Sequence, residues 1–338
     1  MHDFRSDTVT RPTPAMRQAM AEAEVGDDVL EVDPTVAKLQ EEAAQLFGRE
    51  AALFVPSGSM GNQIAARLHA RSGEEVALGD GSHSFDWEMG ALAALSGLQA
   101  RPLPAPRGRV DVEAARAALR PAPAGHRPAC RLLIVENTHN FHGGAVVPLD
   151  HLQALRSVCR ERDAALHLDG ARLWNAAAAT GAAPRLRGGG GQPHGVSLQG
   201  ALRTRRVAAD RRSRARRARA PRPQALRRRD APGGVLAAPA HRAGRDARSP
   251  GRRPRAARLA AGLHQLPGVT LPLGAPDTNI VFATFAGRPA SELVAALERN
   301  QVRAIATGPA TIRFVTHHDV GDEGVDAALA ALEGALVA

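Results

Sequence analysis

The chain has 338 residues, 44% of them hydrophobic, and a formal net charge of +10. That length suffices for one large or two moderate domains with a buried core. The opening MHDFRSDT is charged and is not read as a signal peptide, and no apolar run reaches bilayer-spanning length, so no membrane partner is expected. Two cysteines, Cys130 and Cys159, have neither metal-ligand nor disulfide-framework spacing. The expectation is a reducing, cytoplasmic setting and no bound metal.

The charge is unevenly spread. Between Arg185 and Arg258 stand 22 arginines against three acids, Asp210, Asp230 and Asp246, whereas the rest of the chain nets −9. An acidic protein has one basic block set into it. Arg, Ala, Gly and Pro make up 54 of the block's 74 residues, with no aromatic and no isoleucine. Such a segment cannot build a core. It shows neither hydrophobic period, so regular strands and helices are not expected from it.

In chain order, Arg5-Ser6-Asp7-Thr8 comes first, and Thr13 with Pro14 caps a helix expected to run through Glu24. Asp33-Pro34 starts a second helix, in which Val36, Leu39, Ala43 and Leu46 recur at helical spacing and which Gly48 ends. Within it lies Lys38, the only lysine of the chain, read as a solvated side chain. AALFVPSGSMGN then reads as strand, small residues (Ser57, Gly58, Ser59, Gly61) and helix. Small residues there let backbone N–H groups approach a phosphate at the positive end of the helix.

EEVALG is a strand, followed by His83 in a turn before a helix, a place where a lone histidine is more often structural than catalytic. RLLIVENTHN is a buried-type strand ending in Glu136, Asn137, Thr138 and His139. After the amphipathic helix of PLDHLQALRSVCRERD, the run from Ala165 to Leu168 delivers Asp169, Gly170, Ala171 and Arg172 ahead of a helix begun by LWNAAAA. In open α/β sheets the groups that act on a ligand sit just past the carboxyl ends of strands. A carboxylate three residues before a guanidinium can hold a cationic ring nitrogen together with an anionic group; it can also be a structural ion pair.

Strand and helix patterns alternate, so an α/β fold with a mostly parallel, helix-covered sheet is predicted. Beyond the block, ARLAAGLHQLPGV reads as helix and turn, TNIVFATF as a strand and ASELVAALERN as a helix. TIRFVTH is a strand carrying Arg313, and VDAALAALEGAL is the last helix. The expected division is a large domain over 1–250, containing most of the block at 185–258, and a small α+β domain over 251–338.

The stretches RSDTVTRPTPAMRQAMAEAEVGDD, EAALFVPSGSMGNQ, GSHSFDWEMGA, ENTHNFHGGAVVPL, HLDGARLWNA, TNIV and IRFVTHHDV together resemble the low-specificity L-threonine aldolases. These are pyridoxal 5'-phosphate enzymes of the aspartate-aminotransferase fold, fold type I. The resemblance spans residues 3–181 and about 259–338. It implies that Ser57, Gly58 and Ser59 hold the cofactor phosphate, that His83 stacks on the pyridine ring and that Asp169 pairs with the ring nitrogen. Arg172 is implied on the cofactor side and, with Ser6 and Arg313, at the substrate carboxylate, where a planar two-pronged donor fits. The implied reaction is retro-aldol cleavage of L-threonine or L-allo-threonine to glycine and acetaldehyde, with His83 or a bound water as base. A homotetramer or dimer is implied as well. An aromatic amino-acid β-eliminating lyase of the same superfamily is the alternative. A non-catalytic, arginine-rich nucleic-acid binder is a third reading, against which the block's lack of aromatics for base stacking weighs.

One departure from the resemblance is plain. The family anchors its cofactor covalently through a lysine in an LSKGL-type stretch after the aspartate, a role that arginine and glutamine cannot fill. Here the corresponding stretch is Val196-Ser197-Leu198-Gln199-Gly200-Ala201-Leu202-Arg203, without lysine. Read one base later, degenerate codons for Val196 to Ala208 permit V-S-L-S-K-G-L-S-A-P-V-G-S, the lysine codon straddling Gln199 and Gly200. In the same shifted frame Gln224 to Val235 permit K-L-F-G-G-G-M-R-Q-A-G, another glycine-rich stretch of the family. The block is therefore expected to be an out-of-frame translation between two compensating indels, through a sequencing error or a gene lesion. The chain as written is expected to be inactive.

Overall fold

The computed structural model describes residues 1–27, 31–181, 196–200, 206–208 and 252–337. The chain divides into two compact units. The larger is Pro12–Phe141 with Val147–Arg248, the smaller Met1–Arg11, His142–Val146 and Ser249–Ala338. The strands in chain order are β1 (His2–Asp3), β2 (Leu53–Phe54), β3 (Glu75–Gly79), β4 (Gln99–Leu103), β5 (Cys130–Glu136), β6 (Ala165–Gly170) and β7 (Val196–Gly200). Then come β8 (Arg206–Ala208), β9 (Val269–Thr270), β10 (Ile280–Phe285), β11 (Val302–Arg303), β12 (Ile305–Ala306) and β13 (Thr311–Val315).

The larger unit is built on one sheet in the order β2-β8-β7-β6-β5-β3-β4. Strands β4, β3, β5, β6 and β7 run parallel; at one edge β8 is added antiparallel to β7, and β2 antiparallel to β8. A parallel strand covered on both faces needs a nearly continuous apolar run, and CRLLIVE in β5 is one. Successive side chains point to opposite faces. Leu133 and Val135 join Leu155 and Val158 of the helix Leu149–Glu161, whereas Leu132 and Ile134 join Ala66 of the helix Gly58–His69 and Leu92.

Local signals set most element ends. Asp33 Oδ1 accepts the Val36 N–H at 2.9 Å at the start of the helix Pro34–Phe47, and Gly48, at φ 61°, closes it in the left-handed conformation that glycine tolerates. Val36, Leu39 and Ala43 point inward as their spacing predicts; Phe47 takes the fully buried place and Leu46 is only partly covered. Lys38 is exposed. The helix Pro14–Ala21 stops three residues short of the expected Glu24, and it buries none of its residues, so no packing holds a further turn.

The arginine block departs from expectation in part. It supplies β7 and β8, and from Arg252 onward it begins the helix Arg252–Gln265. The alternation of Val196-Ser197-Leu198 matches the strand period beside buried β6. The rest of the block lies outside the described residues.

Burial pushes the Cys130 thiol up to about 11 and the Cys159 thiol to about 12. A thiol reacts as its thiolate. Neither cysteine should therefore react with a disulfide reagent at pH 8 in the folded protein, and both should react in denaturant. Labelling of either under native conditions would contradict the closed packing around β5 and the helix Leu149–Glu161.

The smaller unit holds the antiparallel sheet β12-β13-β10-β9 and the parallel pair β1-β11. Its core gathers Phe4, Leu259, Leu263, Phe285, Leu293, Phe314 and Leu332, with the Phe4 and Phe314 rings edge to face at 6.0 Å. Fully buried Phe4 and the β1–β11 pairing draw the first eleven residues into this unit, whereas the sequence division placed them with the large domain. Among the described residues no helix is long and apolar enough to cross a membrane.

Candidate active site

The polar ends of the parallel strands in the larger unit lie in register. Glu136 at the end of β5 pairs with Asp169 of β6, and Asp169 pairs with Gln199 of β7. Strand β3 has β4 on one side and β5 on the other, so the chain order reverses there, the kind of switch point at which open sheets bind ligands. His83 begins the short helix His83–Asp86 just after β3.

One amide ties the site together. Asn62, one turn into the helix Gly58–His69, donates from Nδ2 to Asp169 Oδ2 at 2.9 Å and to Glu88 Oε1 at 2.8 Å. Its Oδ1 accepts from His167 Nε2 at 2.8 Å, which fixes the orientation of the amide. Asp169 Oδ1 accepts the Ala171 N–H at 3.1 Å. His83 donates from Nδ1 to Glu88 Oε1 at 3.2 Å, and its backbone N–H goes to Glu136 Oε2 at 2.7 Å. The Asn140 N–H reaches Glu136 Oε1 at 2.9 Å, and Arg172 Nη1 donates to Asn140 Oδ1 at 3.1 Å.

The start of the same helix is partly exposed. Ser57 Oγ accepts the Met60 N–H at 3.0 Å, Gly58 is buried without a side chain, and Ser59 is exposed. Residues three apart share a helix face, so Ser59 lies on the side of Asn62. The helix thus joins the Ser57-Gly58-Ser59 turn to Asp169 and, through Glu88, to His83.

Three carboxylates are buried here, those of Glu88, Glu136 and Asp169. Burial first, and then the charge of Asp169, pushes the Glu136 carboxyl up to about 7. His83 is raised above the usual imidazole value, chiefly by its hydrogen bond to Glu88, with Asp169 and Glu136 adding to it and burial opposing. Ligand atoms of His83, Glu88 and Asp169 lie within 4.8 Å of one another. The sequence predicts no metal, yet the geometry offers a cation several donors.

A raised carboxyl adds stability that is fully present below its unfolded value, about 4.5, and lost as pH rises through about 7. His83, also raised, adds a loss in the same direction beginning near its ordinary value of 6.5. Glu136→Gln should flatten the fall in denaturation midpoint between pH 4.5 and pH 7, leaving the His83 component. An unchanged slope would show that Glu136 is ionised throughout.

Of the residues expected from the sequence, Ser57, Gly58, Ser59, His83, Asp169 and Arg172 belong to the larger unit, Ser6 and Arg313 to the smaller. Ser6 caps a short turn by accepting the Thr8 N–H at 3.2 Å. Arg313 lies on β13, buried, and donates from Nη2 to the Arg5 carbonyl at 3.0 Å. Sequence reasoning missed Asn62, Glu88 and His167. The available signal was polarity in apolar company, Asn62 inside a helix that packs on the sheet and His167 inside ALHLDG.

The fold is similar to that of a threonine aldolase from Leishmania major, with a TM-score of 0.77 and 21% identity, covering 100% of both chains. It is also similar to a putative L-allo-threonine aldolase from Listeria monocytogenes, with a TM-score of 0.67 and 18% identity, covering 98% and 96%. This is the α/β fold of the pyridoxal-phosphate-dependent enzymes of fold type I.

Within that class the chain belongs to the beta-eliminating lyase family, whose profile matches residues 3–187. It is 34% identical over 359 residues to low-specificity L-threonine aldolase 1 of Arabidopsis thaliana, covering 99% of this chain and 96% of the relative. To the low specificity L-threonine aldolase of Escherichia coli K12 it is 43% identical over 182 residues, 54% of each chain. An uncharacterized protein of Caenorhabditis elegans is 44% identical over 179 residues, and the match spans 43% of that protein. The chain thus spans about half the length of some curated relatives and nearly all of another.

Proposed function

We propose that the larger unit is a pyridoxal 5'-phosphate cradle and that the reaction is retro-aldol cleavage of L-threonine or L-allo-threonine to glycine and acetaldehyde. The buried Asp169 carboxylate, held by Asn62 at the carboxyl end of β6, carries this reading. The noncovalent donors fit the cofactor. Three buried acids make a place for a cation, and a protonated pyridine nitrogen is one. The Ser57-Gly58-Ser59 turn offers N–H donors at a helix start to a phosphate. The covalent donor does not fit, because the sole lysine, Lys38, is an exposed residue of another helix.

When bound, pyridoxal phosphate supplies an electron sink for the pair released as Cα–Cβ breaks. Asp169 would hold the ring nitrogen and keep it protonated. Glu88 occupies Nδ1 of His83, so the β-hydroxyl proton goes to Nε2 or to a water. Arg172, Arg313 and Ser6 are assigned to the substrate carboxylate on the resemblance. The chain as written is inactive in this proposal. A homotetramer or dimer is proposed on the exposed apolar set Phe85, Trp87 and Met89 beside His83. A cytoplasmic setting is proposed on the two free cysteines.

The test is acetaldehyde release from L-threonine with pyridoxal phosphate added, by a frame-restored protein beside the chain as written. Release by the first alone is expected. Pyruvate from a β-substituted aromatic amino acid, with no acetaldehyde from threonine, would replace this reading with the β-eliminating lyase.

A further inference from the structure

We infer that the carboxyl end of β7 is the anchoring position of the cofactor, emptied by a shift of reading frame. The inference rests on the cofactor reading above. Its first support is register. Asp169 and Gly170 of β6 pair with Gln199 and Gly200 of β7, so the backbone at 199–200 stands one strand away from the ring-nitrogen carboxylate, on the ligand-binding edge of the sheet. Those two positions are also the ones that the lysine codon of the shifted frame straddles. Backbone pairing and codon arithmetic share no input beyond the sequence, and they meet at the same residues.

The second support is where family character stops and resumes. The family profile ends at residue 187, two residues inside the arginine block. Upstream, Leu173 and Trp174 still pack into the core of the larger unit; downstream, Ala256, Leu259, Ala260 and Leu263 pack into that of the smaller. Residues 196–208 and 224–235 both read as family sequence one base later. The frame therefore changes between codons 182 and 195 and returns between codons 236 and 255. Reading one base later restores sense, so the first event adds one base or removes two, and the second compensates.

The genetic code makes this sharp. A glutamine codon is CAA or CAG. Followed by the first G of the glycine codon, CAA reads AAG in the shifted frame, which is lysine, whereas CAG reads AGG, which is arginine. Genomic DNA across codons 182–255 is expected to show CAA at Gln199 and at Gln224, with the two compensating indels in the stated intervals on resequencing or against the frame of its relatives. CAG at Gln199 would overturn the inference outright. A second measurement uses the chain as written, treated with pyridoxal phosphate and then borohydride, which converts a lysine–cofactor double bond to a stable amine. No stoichiometric adduct is expected by peptide mass mapping. One equivalent fixed at Lys38, and lost in Asp169→Asn, would show that the chain has an anchor after all. A CAG codon sinks this inference, whereas a frame-restored protein that carries the lysine and releases no acetaldehyde sinks the proposed reaction and leaves this inference standing.

Discussion

Asp169→Ala is expected to lower acetaldehyde release by the frame-restored protein by about a hundredfold to four-thousandfold. Removing one member of a buried ion pair costs about 3–5 kcal/mol, and about 1.4 kcal/mol is a factor of ten in rate. The loss should appear in kcat, because a neutral ring nitrogen stabilises the electron pair released at Cα far less than a protonated one. A second signature needs no cofactor. The charge of Asp169 is one of the causes that raise Glu136, so in Asp169→Ala the Glu136 titration should move down from about 7. A variant with unchanged kcat and an unmoved Glu136 would remove Asp169 from the site.

Asn62→Leu should destabilise the larger unit by about 2–5 kcal/mol near neutral pH, the range for stripping hydrogen bonds from buried charges. Two carboxylates, those of Glu88 and Asp169, share the amide that this change removes. They would then face each other as like charges, and the site would respond by binding a proton. The penalty should shrink as pH falls, since protonating one acid relieves both the repulsion and the missing donor. Urea midpoints of the variant and its parent at pH 8 and pH 5 measure this. An equal loss at both values would mean that packing, not charge, is what Asn62 supplies.

The sequence made Asp169 legible because its signal is local, an acid at the end of an apolar strand, and the same holds for Ser57, Gly58 and Ser59 as small residues between a strand and a helix. Asn62 and Glu88 carried no such signal. Their meaning lies in partners 26 and 107 positions away, and only the parallel sheet brings these together. The boundary of the units was hidden for a related reason. Phe4 reads as one aromatic in a charged opening, and its burial depends on β13, some 310 residues later. The helix Pro14–Ala21 was read too long because capping residues announce a start, whereas its end depends on packing that it lacks. Composition alone exposed the arginine block, since four residue types that carry no hydrophobic period mark it apart from the rest of the chain.

Because Ser57 caps the helix that carries Gly58, Ser59 and Asn62, the turn at the helix start and the support of the carboxylate move as one body. The axial step from Ser59 to Asn62 is about 4.5 Å. If the proposed cofactor reading holds, that helix is a fixed gauge for the span between the ligand's phosphate and its ring nitrogen. A compound carrying both groups at the wrong spacing could satisfy one end only by forfeiting the other, so selectivity for the length of the ligand is built into the pitch of one element.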